Sequence, residues 1–400
     1  MKDYLHATFA STFAWAGNIY DLIIITYIYS ELERFFHIGI FEVSLLFSIG
    51  LIGRFFGGLI FGRYINYIGN KNGMIIGTLG YSIASAGMAF SINVPMLFAF
   101  RTVQGIFMGG EWTTGTVLSY NYAPKNVSGA IVGFVQSGYG LGYALTGASY
   151  IVFLSVISYD WRLFLLTGLI PIAIAPYAFL KIPKENLKSY KKLNIKLGTY
   201  KIAILKSSIM MSGLFGAYFS IFSFYPTIAP EIGISGAIIG IVIIASNVIV
   251  SIAFITFGRL SDIASKKLLV IAGSASAMIS SFFAIPAFGV IHMYSIPGIF
   301  VFSFSVGILT VIPLIIMERV ADQAKSFVSG ISYNLGALVG GVISVVVSLI
   351  VQIVPSISIL YVINWVDVIC LLAVIGTALT IKSMEKSYTL NKLNNIRNQN

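Results

Sequence analysis

Twelve stretches of roughly 20 apolar residues succeed one another in this chain, and that is the length an α-helix needs to cross a hydrocarbon core about 30 Å thick. They fall at about residues 8–30, 43–62, 73–92, 95–119, 129–154, 162–181, 205–227, 236–258, 268–290, 294–317, 327–352 and 356–381. Backbone polar groups inside lipid must be satisfied within the segment, so uninterrupted runs of this kind become helices. With 57% hydrophobic residues, 10% charged residues and a mean hydropathy of +0.91, too little polar surface remains for a soluble chain. The fold class read from this is an all-α membrane protein with twelve transmembrane helices. The first run carries Asp21 and has no small-residue cleavage site, so it is expected to remain as a span.

A repeat organises the twelve runs. Gly62-Arg63-Tyr64-Ile65-Asn66-Tyr67-Ile68-Gly69-Asn70-Lys71 closes the second run. Gly258-Arg259-Leu260-Ser261-Asp262-Ile263-Ala264-Ser265-Lys266-Lys267 closes the eighth, 196 residues later. One membrane unit used twice gives two pseudo-symmetric six-helix halves, expected at 1–181 and 205–381. A basic cytoplasmic linker at 182–204 joins them, and a cytoplasmic tail follows at 382–400. Secondary transporters built from repeats bind substrate between them near mid-membrane, so function is sought there.

Orientation follows from the basic residues. With the amino terminus inside, every Lys and Arg except Arg34, Arg54, Arg101 and Arg162 falls in an inner loop, the linker or the tail. A multi-pass plasma-membrane protein with both termini cytoplasmic is expected. The net charge of +11 is then explained by topology and by attraction to anionic membrane lipid, and no nucleic-acid partner is expected. A single cysteine, Cys370, excludes an intrachain disulfide and a cysteine metal cluster. His6, His37 and His292 lack metal-ligand spacing, and no phosphate-binding glycine loop or nucleophile elbow occurs. Enzyme activity, a bound cofactor, a metal site and direct drive by ATP are therefore not expected.

The motifs resemble the major facilitator superfamily, and within it the metabolite:H+ and sialate:H+ symporter groups. In the loop after the second run, Gly62, Gly69 and Lys71 fit the pattern G-x-L-x-D-x-x-G-R-R, with Asn66 where the acid is expected. The second copy keeps Asp262, Lys266 and Lys267 after Gly258 but has Ser265 at the second glycine. Arg101-Thr102-Val103-Gln104-Gly105 through Gly109-Gly110-Glu111-Trp112 is similar to the R-x-x-Q-G-x-x-x-G-G-E-W stretch of those symporters. Tyr20-Asp21, Asp160-Trp161-Arg162, Tyr225-Pro226-Thr227 and Ser332-Tyr333-Asn334 add to the likeness. Asn121 and Ser128 stand where sugar porters favour Glu and Arg, which weighs against sugar. The resemblance implies a proton-coupled symporter of a small organic anion, expected to be a carboxylate.

Ionisable residues at membrane depth cost roughly 2.5 to 3.5 kcal/mol each on insertion scales, so each is a functional candidate. Asp21, Arg54, Arg101, Glu111 and Asp367 are those residues here. Helical rise puts Asp21 about 20 Å from the inner end of the first span and Arg101 about 9 Å from the outer end of the fourth, which is one level. Asp21 is the expected proton site, with Arg101 alternating between Asp21 and an anionic group of the substrate; a static buried pair is the structural alternative. Glu111 lies about 15 Å further in and is expected to pair with Arg54 as an inner gating or structural contact. Gly62, Asn66, Gly69, Lys71, Gly258, Asp262, Lys266 and Lys267 belong to the same gating or structural class. Gln104, Tyr20, Asn18, Gln136, Tyr225, Asn334 and Tyr333 are candidate substrate contacts beside Arg101. Asp367 has no partner legible in the sequence. The reading is alternating-access transport by a monomer whose partners are substrate, protons and membrane lipids. Its rivals are a proton-independent facilitator or exporter and a transporter-derived sensor.

Overall fold

In the computed structural model, residues 2–156, 160–185, 197–287 and 292–381 are described. Linker residues 186–196, with Lys188, Lys191, Lys192 and Lys196, the tail 382–400, and the last residues of the ninth predicted run lie outside them. The described chain forms twelve helical rods. They are α1 Asp3–Ile24, α2 Ile40–Ile68, α3 Asn70–Ala89, α4 Val94–Tyr122 and α5 Ser128–Val156; α6 joins Trp161–Leu166, Thr167–Ala173 and Ile174–Lys181. Then come α7 Leu197–Glu231, α8 Gly236–Ile263 and α9 Lys266–Ala284. The last are α10, which joins Ser295–Ser305, Val306–Thr310 and Val311–Arg319, then α11 Lys325–Ile353 and α12 Ile359–Leu379. Among the described residues there is no strand.

All twelve expected spans are rods, but several are longer. The helix needs no lipid to continue once its hydrogen-bond ladder has started, so α7 begins at Leu197 and takes in 197–204, which the sequence assigned to the linker. Eight rods are apolar enough to cross a membrane by composition alone; α1, α3, α4 and α5 are not among them. In α4 the polar Arg101, Gln104, Glu111, Thr113 and Thr114 lower the hydropathy, and all five are buried inside the bundle.

The two repeated turns are built differently. Gly69 sits at φ +80°, a conformation that favours glycine, and α2 ends there. In the second copy Ser265 has φ −63° and its hydroxyl caps α9, so glycine is not required. Equivalent lysines then do equivalent work: Lys71 Nζ donates to the carbonyls of Phe179 (2.8 Å) and Ile182 (2.5 Å) at the end of α6. Lys267 Nζ donates to the Leu379 carbonyl at the end of α12.

Within one half, α2 and α3 pack on α4, and α1 packs on α4 and α5; within the other, α7 packs on α11 and α12, and α9 on α10 and α12. The halves meet through α5 with α8 and α2 with α11, contacts that exchange under the repeat. Glycines permit the closest approaches, as small residues do between membrane helices. A β-carbon at Gly57 would overlap the Ile106 carbonyl of α4. Gly57→Val is therefore expected to lower thermal stability by more than the about 1–3 kcal/mol of ordinary overpacking. Loss of the monodisperse peak in detergent chromatography checks this; an unshifted melting curve contradicts it.

Candidate functional site

Between the halves lies a nearly closed cavity of about 20 Å³. Trp15, Ile19 and Leu22 of α1 and Phe47, Leu51 and Arg54 of α2 form one wall; Tyr139, Tyr143, Phe215, Phe219, Tyr333 and Ala337 form the others. Those residues recur at helical spacing on each rod, so one face of each turns inward. The walls press close: Trp112 and Tyr333 stack across the halves at 3.6 Å, and Phe215 meets Tyr333 edge-on at 5.1 Å. Around it, Trp112 Nε1 donates to Gln136 Oε1 (2.8 Å) and the Tyr218 hydroxyl to Asn247 Oδ1 (3.1 Å).

Arg54 is the cation of this cavity. Its guanidinium lies over Trp15, 4.7 Å from the ring centroid, and Nε donates to Asn334 Oδ1 of α11 at 3.0 Å. Nη2 has no protein partner although the residue is 2% exposed. A planar donor fork with spare N–H groups beside aromatic faces suits a planar anion such as a carboxylate.

The pairing of Arg54 with Glu111 expected from the sequence is not formed. Glu111 Oε2 instead accepts from Asn18 Nδ2 at 2.7 Å, and that amide also donates to the Met108 carbonyl at 2.8 Å. Direction around the helix axis separates them: Arg54 turns to α11 and Glu111 to α1.

Arg101 and Asp21 are neighbours without an ion pair. Among the described residues, ion pairs join Arg259 to Asp262, Lys266 to Glu318 and Lys325 to Asp322, and none joins Arg101 to Asp21. α1 passes into a 3-10 turn at Ile25–Ile28, just beyond the carbonyls of Asp21 and Leu22. Arg101 takes both, at 3.4 and 3.0 Å, together with the Leu46 carbonyl at 2.9 Å and Gln104 Oε1 at 2.5 Å. Four of its five N–H groups are spent on the protein and it does not line the cavity, so Arg101 and Gln104 are not cavity contacts here. The Asp21 carboxyl points to Ser85, which donates to Oδ1 at 3.2 Å, and to Gly168, where a β-carbon would collide with it. Oδ2 has no protein partner.

Of the other candidates, Tyr333 lines the cavity, Asn334 holds Arg54, and Gln136 holds Trp112. Tyr20 donates instead to Ser149 (3.0 Å) in the outer part of its half, and Tyr225 pairs with Ser295 (3.3 Å), both away from the cavity. Trp15, Tyr139, Tyr143, Phe215 and Phe219 were not singled out from sequence. Their i, i+4 spacing was visible, but an all-apolar helix in lipid gives no hydropathy contrast to tell the cavity face from the lipid face. A larger groove outside the bundle between α9 and α10, lined by residues such as Ala272, Ile279, Phe283 and Val301, carries no cation or carboxylate.

The cavity is sealed toward the end that carries the two repeated turns. Asp262 accepts the backbone N–H groups of Gly129 (2.7 Å) and Ala130 (3.0 Å) at the first turn of α5, in the opposite half. Arg259 donates to the Asn126 carbonyl beside it at 3.2 Å. Gly129 and Gly133 pack on Gly258 and Phe254, and Gly58 and Gly62 on Gly330 and Phe327. Ser326 donates to Asn70 Oδ1 at 2.6 Å on that second seam. Toward the other end Gly240 of α8 meets nothing within 4 Å. Asn66, at the position equivalent to Asp262, brings no charge, so the two repeated turns differ: Asp262 alone of the pair sets a carboxylate on a helix N-terminus of the other half. Hydrogen bonds to charged groups are worth about 1.5–3 kcal/mol, so Asp262→Asn is expected to raise the population unsealed at this end by about tenfold or more. Spin labels at Asn126 and Ser265, in a Cys370→Ser background, should then show a broader and longer distance distribution; an unchanged one contradicts the assignment.

Comparison with known proteins agrees with this architecture. The model of the Major Facilitator Superfamily matches residues 7–381. The sialic acid transporter NanX of Escherichia coli K12 is 25% identical over 343 residues, covering 82% of this chain and 83% of that one. The niacin transporter NiaP of Acinetobacter baylyi is 29% identical over 173 residues, covering 43% of this chain and 39% of that one. Among solved structures, the E. coli fucose:proton symporter FucP superposes with a TM-score of 0.74 at 15% identity, covering 95% of this chain and 99% of that one.

Proposed function

The chain belongs to the major facilitator superfamily, and from that premise we propose that it is a proton-coupled symporter of a small organic carboxylate, with an aromatic or other flat body. The observation that carries this reading is Arg54, a buried guanidinium with a spare N–H on the wall of an aromatic-lined cavity between the halves. Once the walls part, a carboxylate there gains charge-assisted hydrogen bonds from Nη2, and the rings of Trp15, Tyr333 and Phe215 flank its flat body. The names of NanX and NiaP, each for a small organic acid, support the same class.

The proton goes to Asp21. This carboxyl is 0% exposed and has Ser85 on one oxygen and no partner on the other. Arg101 grips the backbone of Asp21 and Leu22 and not the carboxylate, so its role is to register the tilt of α1 and not to hold substrate. Titrating Asp21 alters its contact with α3 and α6, Arg101 carries that change to α2 and α4, and Arg54 on α2 faces the cargo. Binding and protonation thus act on one pair of rods. The halves that rock are 1–181 and 205–381, and the sealed end is the cytoplasmic one by its basic residues.

Proteoliposomes with an inward proton gradient test this reading. Uptake of a labelled carboxylate should rise with the gradient and collapse with an uncoupler. Gradient-independent equilibration would favour a facilitator, and binding without uptake a sensor.

A further inference from the structure

Asp367 lies in the half to which that reading assigns no proton, and it is 0% exposed in mid-α12. The Ser220 hydroxyl of α7 donates to its Oδ1, while Oδ2 has no protein partner. One turn earlier on the same face, Asn364 Nδ2 donates to the carbonyls of Ile285 (2.8 Å) and Leu360 (3.0 Å). Those bonds fix the amide orientation and leave Asn364 Oδ1 without a donor. Two buried acceptors therefore stand one turn apart with no donor for either.

No cation compensates them among the described residues. On α7, Tyr218 and Tyr225 are bound to Asn247 and Ser295; on α9 the buried residues include Ser280 and Ser281 but nothing ionisable. Tyr333 of α11 is stacked on Trp112. On α12 itself Cys370 is a buried thiol, and Tyr361 lies near the other end. Lys206 and Lys267 are held by Thr380 and Leu379, three turns away. The donor this site can acquire is a proton on the Asp367 carboxyl.

The same arrangement stands in α1. Asn18-Ile19-Tyr20-Asp21 and Asn364-Trp365-Val366-Asp367 share their spacing, a serine hydroxyl on Asp Oδ1, and unpartnered Asp Oδ2 and Asn Oδ1. The repeat relates α1 to α7 and not to α12, so the recurrence is not inherited from the duplication.

We propose that Asp367 is a second proton-binding site, so that each cycle carries two protons with the substrate, one in each half; this rests on the symporter reading above. Infrared difference spectroscopy on the full chain in lipid bilayers, between neutral and alkaline pH, reads the site without transport. A carboxylic-acid carbonyl band should vanish in Asp367→Asn and a separate one in Asp21→Asn, with the Asp367 band shifted in Ser220→Ala should Asp367→Asn fail to fold. No change of band in either α12-site variant overturns the site. Reversal potentials in proteoliposomes read the stoichiometry: two protons per substrate in the natural chain and one in Asp367→Asn. A value of one in the natural chain overturns the coupling role. Absence of any proton-driven uptake would sink the symporter reading while leaving the band to decide the site.

Discussion

Arg54→Gln is expected to abolish concentrative uptake. Removing one partner of a buried charge contact costs about 2–5 kcal/mol, which is roughly 30-fold to several thousand-fold in affinity. Gln keeps an amide able to meet Asn334, so the seam between α2 and α11 retains its hydrogen bond while the carboxylate loses its cation. The loss should therefore fall on substrate affinity, read as a raised half-saturation concentration, with thermal stability in detergent nearly unchanged. Uptake at the original affinity would remove Arg54 from the substrate site.

Asp21→Asn should have the next largest effect, and of a different kind. The amide cannot exchange a proton, so accumulation driven by a pH gradient should fall from the two-proton to the one-proton level, whereas counterflow of labelled against unlabelled substrate continues. Ser85 still finds an acceptor in the amide, and Gly168 still leaves room for a group of that size. Gradient-driven accumulation undiminished in a folded Asp21→Asn protein would exclude Asp21 as a coupling group.

The sequence made some of this legible and hid the rest for physical reasons. Apolar length and the repeated turns specify twelve helices in two halves, because lipid leaves the backbone no alternative. Depth is also legible: rise per residue puts Asp21 and Arg101 at one level, and Arg101 does reach the Asp21 carbonyl. Direction around the helix axis is not. Arg54 and Glu111 face different neighbours, since in a chain apolar on every side only packing decides which face turns inward. The 3-10 turn after Ile24 was hidden as well, because Ile-Thr-Tyr-Ile carries no glycine or proline to announce it; that turn follows directly on the carbonyls which occupy Arg101. Ser265 shows the converse, a departure from motif that the backbone explains once its φ is known to be negative.

The claim on which the account turns is that Arg54, and not Arg101, recognises the carboxylate. Equilibrium binding of benzoate and of its neutral isostere benzamide to the purified chain, to Arg54→Gln and to Arg101→Gln tests it most directly. The account predicts that the natural chain prefers benzoate and that Arg54→Gln loses this preference. A folded Arg101→Gln should keep it. Preference for the acid surviving in Arg54→Gln and vanishing in Arg101→Gln would contradict it.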